Sequence, residues 1–290
     1  MAHIIKTQME HKNTEWTNVI SSEHSLFKLN LKEVWDYRDL VYMFVKRDFV
    51  SSFKQTILGP LWFFINPIFT TVVYLIVFGN IANLSTDGAP KILFYLAGVT
   101  LWNYFSSSLG GTSNVFVGNA GIFGKVYFPR LVMPITIVIS NLMRFGVQFL
   151  LFLVVFFYYW YKGEVAPNWW VLFTPIFILM MSLFALGVGM IFSSLTTKYR
   201  DLSMLLTFGI SLYMYATPVI YPTSMLSAKI QPYAKYNPLT GIFEGFKYAW
   251  MGVGEFNPIM LVYSTIIILI LLAIGTVIFN KVEKGFMDTV

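Results

Sequence analysis

The stretch that comes nearest to nucleotide chemistry is GNAGIFGKV, Gly118 to Val126. A phosphate-binding loop needs G-x4-G-K followed by Ser or Thr: its amides cradle the phosphates, the lysine reaches the outer ones and the hydroxyl holds magnesium. Here five residues separate Gly118 from Gly124, and Val126 stands where the hydroxyl should be. The loop fails on both counts. Histidine is confined to His3, His11 and His24 in the N-terminal tail, and cysteine is absent, which removes thiolate nucleophiles and thiolate metal ligands together. Six long apolar runs contain no Asp or Glu, and their one charge is Arg144. A membrane hydrolase or transferase wants a paired acid and base, or a metal, near a pocket. Ion-coupled transporters carry carboxylates or histidines inside the bilayer; sodium held by backbone carbonyls alone stays open. The expectation is no catalytic residue, no metal and no cofactor in this chain. If it does work, the energy arrives from a partner.

The elements around these residues explain the composition. Of 290 residues, 57% are hydrophobic and 12% charged, with a mean hydropathy of +0.66. Soluble domains run nearer about 45–50% apolar and about 25% charged, so the expected solvent is lipid and the expected class an all-α integral membrane protein. The apolar runs cover 58–81, 92–117, 134–160, 168–196, 203–221 and 258–280. Each approaches or exceeds the roughly 20 residues a bilayer demands. The first 25 residues have no apolar signal core, so no cleaved leader is expected. Six spans put both termini on one side. With the N-terminus inside, 14 basic residues are cytoplasmic and five lie outside, the arrangement the positive-inside rule favours. This sorting also accounts for the net charge of +6 without nucleic acid.

Residues 1–30 read as a cytoplasmic tail, 31–54 as a helix before the first span, and 55–290 as the six-span domain. At 100° per residue, Lys46, Arg47 and several other charges gather on one side of the 31–54 helix, while Trp35, Val41, Tyr42, Phe44, Val45 and Phe49 fall largely opposite. Arg38 and Asp48 interrupt the apolar side. Such a helix lies in the headgroup plane, or against the spans. In the first span, Pro60 suits the opening turn and Pro67 predicts a kink; Asn66 beside it needs protein or water around it. The small residues of SSSLGGTSN, Ser106 to Asn114, and Gly187 with Gly189, predict close helix packing. The segment 222–257 is too rich in Ile, Phe, Tyr and Trp for a solvated loop. It reads as two short helices, near 223–235 and 239–251, separated by Pro238, which either dip back into the outer leaflet or lie flat on it.

LKEVWDYRDLVYMFVKRDFVSSFKQTILGPLWFFINP, NAGIFGKVYFPRLVMP, YRDL and NPLTGIFEGFKYAW together resemble the membrane subunit of polysaccharide-exporting ABC transporters, the family that moves O-antigen and, in relatives, capsule or teichoic acid. The resemblance runs in order through nearly the whole chain after residue 26. It implies a homodimer forming a channel, with two copies of a separate nucleotide-binding ATPase that holds ATP and magnesium. The implied cargo is an undecaprenyl-linked polysaccharide, and the implied location the bacterial inner membrane. It places the helix that couples to the ATPase within 119–131, on Gly121, Lys125, Tyr127, Phe128 and Arg130. The basic residues there suit an acidic surface, and Tyr127 and Phe128 could anchor in an apolar pocket; a plain basic loop against anionic headgroups is the other reading. The 31–54 helix becomes the interface helix, with Trp35, Arg38, Lys46, Arg47 and Asp48 as its residues of interest. The 222–257 segment becomes a pair of re-entrant gate helices, with Pro222, Asn237, Pro238 and Glu244 marking it.

A sugar polymer needs a wide, sequence-tolerant tunnel, and aromatic faces give apolar contact to sugar C–H surfaces. Trp62, Phe63, Phe69 and Tyr74 on the first span, with Tyr213, Tyr215 and Tyr221 on the fifth, are the lining candidates. Two alternatives stand beside this reading. One is a related ABC permease for a small drug or lipid, and the other an ion-coupled secondary transporter.

Overall fold

A computed structural model of the chain describes residues 31–286 apart from Phe53, Gln55, Tyr127 and Glu255, with side chains from Val34 to Glu283. The expected tail 1–30 and the candidate Tyr127 lie outside the described residues. Every described element is helical. The order is α1 (Leu31–Asp36), α2 (Arg38–Ser51), α3 (Trp62–Tyr74), α4 (Lys91–Ser113), α5 (Val115–Phe123), α6 (Val132–Tyr161), α7 (Thr174–Lys198), α8 (Leu202–Tyr215), α9 (Gln231–Tyr236), α10 (Thr240–Met251) and α11 (Pro258–Phe286).

Four stretches among the described residues are long and apolar enough to cross a membrane: Gly59–Ile81, Val132–Tyr161, Trp169–Lys198 and Pro258–Glu283. The other two expected spans are built differently. The run predicted at 92–117 breaks at Asn114, whose side-chain amide donates to the Gly110 carbonyl at 2.9 Å and ends α4 before α5 begins. Helix α4 is 23 residues long but buried along most of its length. Protein surrounds most of it, so it carries Thr100, Ser108, Thr112 and Ser113 buried where a lipid-facing helix would not. The run predicted at 203–221 stops at Tyr215, after 14 residues, and the chain continues through it as irregular backbone. The expected single helix over 31–54 is also broken, at Tyr37.

Gly59 takes φ +51°, a left-handed turn that glycine adopts without a Cβ clash, and Pro60 follows in a 3-10 turn. Pro67 lies buried inside α3. The departure from α geometry comes later, where Leu75–Ile81 runs on as a π-helix.

Small residues set the helix spacing, as the pattern predicts. A Cβ on Gly187 would stand 2.8 Å from the Cα of Leu272 on α11, and one on Gly189 would stand 2.6 Å from the side chain of Thr112 on α4. Gly275 of α11 faces the Gly187 carbonyl oxygen so closely that a Cβ there would overlap it. The interior divides into two apolar clusters. The larger joins α4, α6, α7 and α10 through rings such as Phe105 on Phe184, centroids 5.4 Å apart, and Phe152 on Trp250 at 5.5 Å. The smaller gathers Val34, Phe116, Phe123, Phe128, Met190 and Phe279 at the end of the bundle that carries α1, α2 and α5.

Candidate functional site

The α5 end holds the residues expected to couple. After Phe123 the chain turns through Gly124 to Leu131 before α6 begins. Gly121, Lys125 and Val126 are exposed there. Phe128 is not: it is 5% exposed, with its ring 5.6 Å from Phe123 and 5.9 Å from Phe44 of α2. Of the two aromatic residues expected to enter a partner's pocket, Phe128 is therefore occupied within this chain, while Gly121, Gly124, Lys125 and Val126 are exposed among the described residues of the knob. Arg130 donates from its guanidinium to the Glu283 carbonyl of α11, and its backbone N–H faces the Glu283 carboxylate at 3.4 Å. Its guanidinium carbon also lies 5.7 Å from the centre of the Phe123 ring. Phe116 stacks on Phe279 with centroids 4.6 Å apart. The knob is thus fastened to α2, α7 and α11 as one body.

This packing yields a test of what holds the knob. Phe128→Ala should lower thermal stability by an amount on the order of 3 kcal/mol, the cost of emptying a buried ring site, whereas Lys125→Ala should leave the melting temperature unchanged. A detergent-phase thermal melt distinguishes the two.

Helix α2 lies along α6. Val45 is buried and Phe44 half-buried, while Lys46 and Arg47 face outward. Asp48, which interrupts the apolar side, is held by Arg47 at 2.8 Å and accepts from the Ser140 hydroxyl of α6 at 3.5 Å. Trp35 is 68% exposed, so the apolar side does not pack wholly against the spans. Arg38 lies over it at 5.9 Å.

At the opposite end, residues 216–251 form the second candidate site. Helix α10 closely matches the predicted 239–251, and α9 is shorter than predicted. All of α10 except Tyr248 is buried, packed among α4, α7 and α11. Asn237, just before Pro238, uses its whole carboxamide. Its oxygen accepts from the Tyr213 hydroxyl at 2.6 Å and from Leu239 N–H at 2.9 Å. Its NH₂ donates to Ala216 O and to the Thr217 hydroxyl, both at 3.0 Å. That bracket ties the end of α8 to the start of α10.

Two buried charges sit one turn apart on α10. Glu244 is 3% exposed and Lys247 2% exposed. Glu244 accepts from the Thr223 N–H at 2.9 Å, beside the buried Pro222. Lys247 donates to the carbonyls of Pro218 at 2.7 Å and Val219 at 3.3 Å. Its ammonium also lies 3.6 Å from the centre of the Phe94 ring on α4. Asp87, in the loop before α4, reaches the same corner and accepts from Ser224 at 2.7 Å. Lys247 is one of the five basic residues that the orientation count places outside. The i, i+3 spacing of Glu244 and Lys247 was the available sign that both face one way.

The lining candidates divide by environment. Trp62, Phe69 and Tyr215 are exposed. Phe63 stacks on Phe49 of α2 at 5.6 Å. Tyr74 and Tyr213 are held by hydrogen bonds, to Met214 Sδ at 3.1 Å and to Asn237. Tyr221 donates to the Tyr215 carbonyl at 2.8 Å. No group of His, Cys, Asp or Glu among the described residues is placed to hold a metal.

Comparison with known proteins gives the following. The family model described as ABC-2 type transporter matches residues 39–251. The chain is 30% identical over 252 residues to an O-antigen export system permease protein RfbA of Klebsiella pneumoniae, covering 86% of this chain and 94% of the relative. It is 27% identical over 265 residues to the protein of the same name from Myxococcus xanthus, covering 90% and 98%. It is 21% identical over 226 residues to the inner membrane transport permease YadH of Escherichia coli (strain K12), covering 76% and 86%.

Proposed function

The chain belongs to the ABC-2 type transporter family, and from that membership we propose that it is the permease subunit of an ATP-driven exporter. Its cargo on this reading is a lipid-linked, O-antigen-like polysaccharide, moved from the cytoplasmic to the outer side of the bacterial inner membrane. The choice of cargo rests on the two relatives named for O-antigen export. The ATP-driven part rests on one observation: the α5 knob and its turn are packed as one body with α2, α7 and α11, in a chain whose apolar runs carry no carboxylate. A small rigid contact of that kind passes a push from a separate ATPase to two long helices at once.

On this reading two copies of the chain form the channel and each seats one ATPase subunit, which binds ATP and magnesium. Both termini face the cytoplasm. Helix α4 supplies the second span, and α8 with residues 216–221 the fifth. Helices α9 and α10 re-enter from the outer side as the gate. Gly121, Lys125 and Val126 meet the ATPase, Arg130 links the knob to α11, and Trp62, Phe69 and Tyr215 are the aromatics free to face cargo.

Deleting the gene from its host and following the carrier-linked glycan tests the reading. The expected result is accumulation of that glycan on the cytoplasmic face, restored by the wild-type chain. Affinity purification in mild detergent should bring down an ATP-hydrolysing protein in equal ratio. Normal surface glycan in the deletion strain, with loss of export of a small amphiphile instead, would remove the polysaccharide assignment.

A further inference from the structure

A cavity of about 390 Å³ opens between α2, α3, α4 and α6. Its polar lining includes Ser52, Asn66, Asn103, Asn141, Arg144 and Gln148. Trp62 and Phe63 lie on the same wall of α3. Among the described residues no Asp or Glu lines it. Arg144 is the single charge within the six apolar runs of the sequence. Its Nη1 donates to the Asn141 carboxamide oxygen at 3.1 Å and its Nη2 to the Ser52 hydroxyl at 2.6 Å. Its Nε is buried with no hydrogen-bond partner. Both of these partners are neutral, and Arg144 makes no ion pair among the described residues. Asp48, the acid on the neighbouring helix, is paired with Arg47; its charge still acts on Arg144, without an ion pair or hydrogen bond between the two.

A half-buried cation with two neutral partners and an idle donor is costly to keep in apolar surroundings. An anion settling beside it offsets that cost, and a phosphoryl group fits the planar fork of a guanidinium better than a point ion does. The amides around it extend the match. Asn103 and Gln148 approach each other only at 3.5 Å, so their donors and acceptors are loosely engaged and can turn toward phosphate oxygens or sugar hydroxyls. The exposed indole of Trp62 offers an apolar face to a sugar ring. The cavity lies toward the α5 end of the bundle, since Arg144 is 12 residues into α6, about 18 Å at 1.5 Å per residue. Trp62 to Asn66 form the first turns of α3.

We propose that this cavity receives the phosphoryl headgroup of the lipid carrier, with Arg144 on the phosphate oxygens and the surrounding carboxamides on the phosphate and the first sugar. The proposal deepens the exporter reading and rests on it for the identity of the lipid. The anionic-headgroup chemistry is shared with bulk phospholipid, so the test separates the two sources.

Farnesyl diphosphate serves as a soluble probe on the purified permease–ATPase complex in detergent, with farnesol, inorganic diphosphate and phosphatidylglycerol as comparisons. Farnesyl diphosphate should bind, Arg144→Gln should weaken it at least tenfold, and farnesol and inorganic diphosphate should bind far more weakly. Asn66→Leu, at an exposed position where folding is spared, should weaken it severalfold and so covers a failure of Arg144→Gln to fold. Unchanged binding in both variants, farnesol binding as tightly, or phosphatidylglycerol competing equally would each overturn the assignment. Failure of the exporter reading looks different: the wild-type complex would bind the probe through Arg144 yet move no glycan under ATP.

Discussion

Gly275→Val should abolish recovery of a monodisperse protein from detergent. The Gly275 position faces the Gly187 carbonyl oxygen with no room for a Cβ, and Gly187 in turn has the backbone of Leu272 at 2.8 Å from where its own Cβ would stand. Backbone atoms cannot swing aside as the tip of a side chain can, so a valine must force α7 and α11 apart. Overpacking a well-filled contact costs about 1–3 kcal/mol where side chains can adjust, and here they cannot. Helix association within a bilayer depends on such close approach. The comparison is Gly146→Val on α6, where nothing stands within 4 Å of the added carbon. That variant should elute and melt like wild type. Equal behaviour of the two by size-exclusion profile and thermal melt would contradict the packing argument.

Lys247→Ala should be the most damaging single change at the gate end, lowering stability by about 3–5 kcal/mol, as expected when one member of a buried charge cluster is removed. The lysine satisfies two carbonyls in the irregular segment after α8 and covers the Phe94 ring. Its loss orphans those acceptors and leaves Glu244 and Asp87 without their shared cation. The double replacement Glu244→Gln with Lys247→Met should be milder than Lys247→Ala alone, because it removes charge on both sides while keeping bulk. A thermal melt of the three proteins, wild type included, checks the order. If the double variant proves the worst, the two side chains act independently.

Reading the chain as an amino-acid string recovered most of the scaffold. Long apolar runs, Pro238 and the glycine pairs mark elements that local chemistry alone defines. The break at Asn114 was hidden because a carboxamide that caps its own helix looks, in sequence, like one more polar residue in a small-residue stretch. The early end of α8 was hidden for a related reason. Val219 and Ile220 are apolar enough to prolong a span, but Pro218 withholds an N–H and disfavours helix at Thr217, and ties to Asn237 and Lys247 hold the irregular backbone that follows. The burial of Phe128 was not legible because an aromatic ring suits an internal core and a partner's pocket equally well; its packing depends on Phe44, 84 residues earlier in the chain. Arg144 was visible as an oddity, but its setting needed four helices brought together.

Helix α4 carries a consequence for how the molecule is made. Its polar groups are sheltered by α6, α7 and α10, all of which emerge from the ribosome after it. Until they arrive, a helix bearing Asn103 and a run of hydroxyls meets hydrocarbon on sides meant for protein. Nascent chains cut short before Thr174 should therefore leave this segment poorly retained during membrane insertion, and those extending past Met251 should secure it.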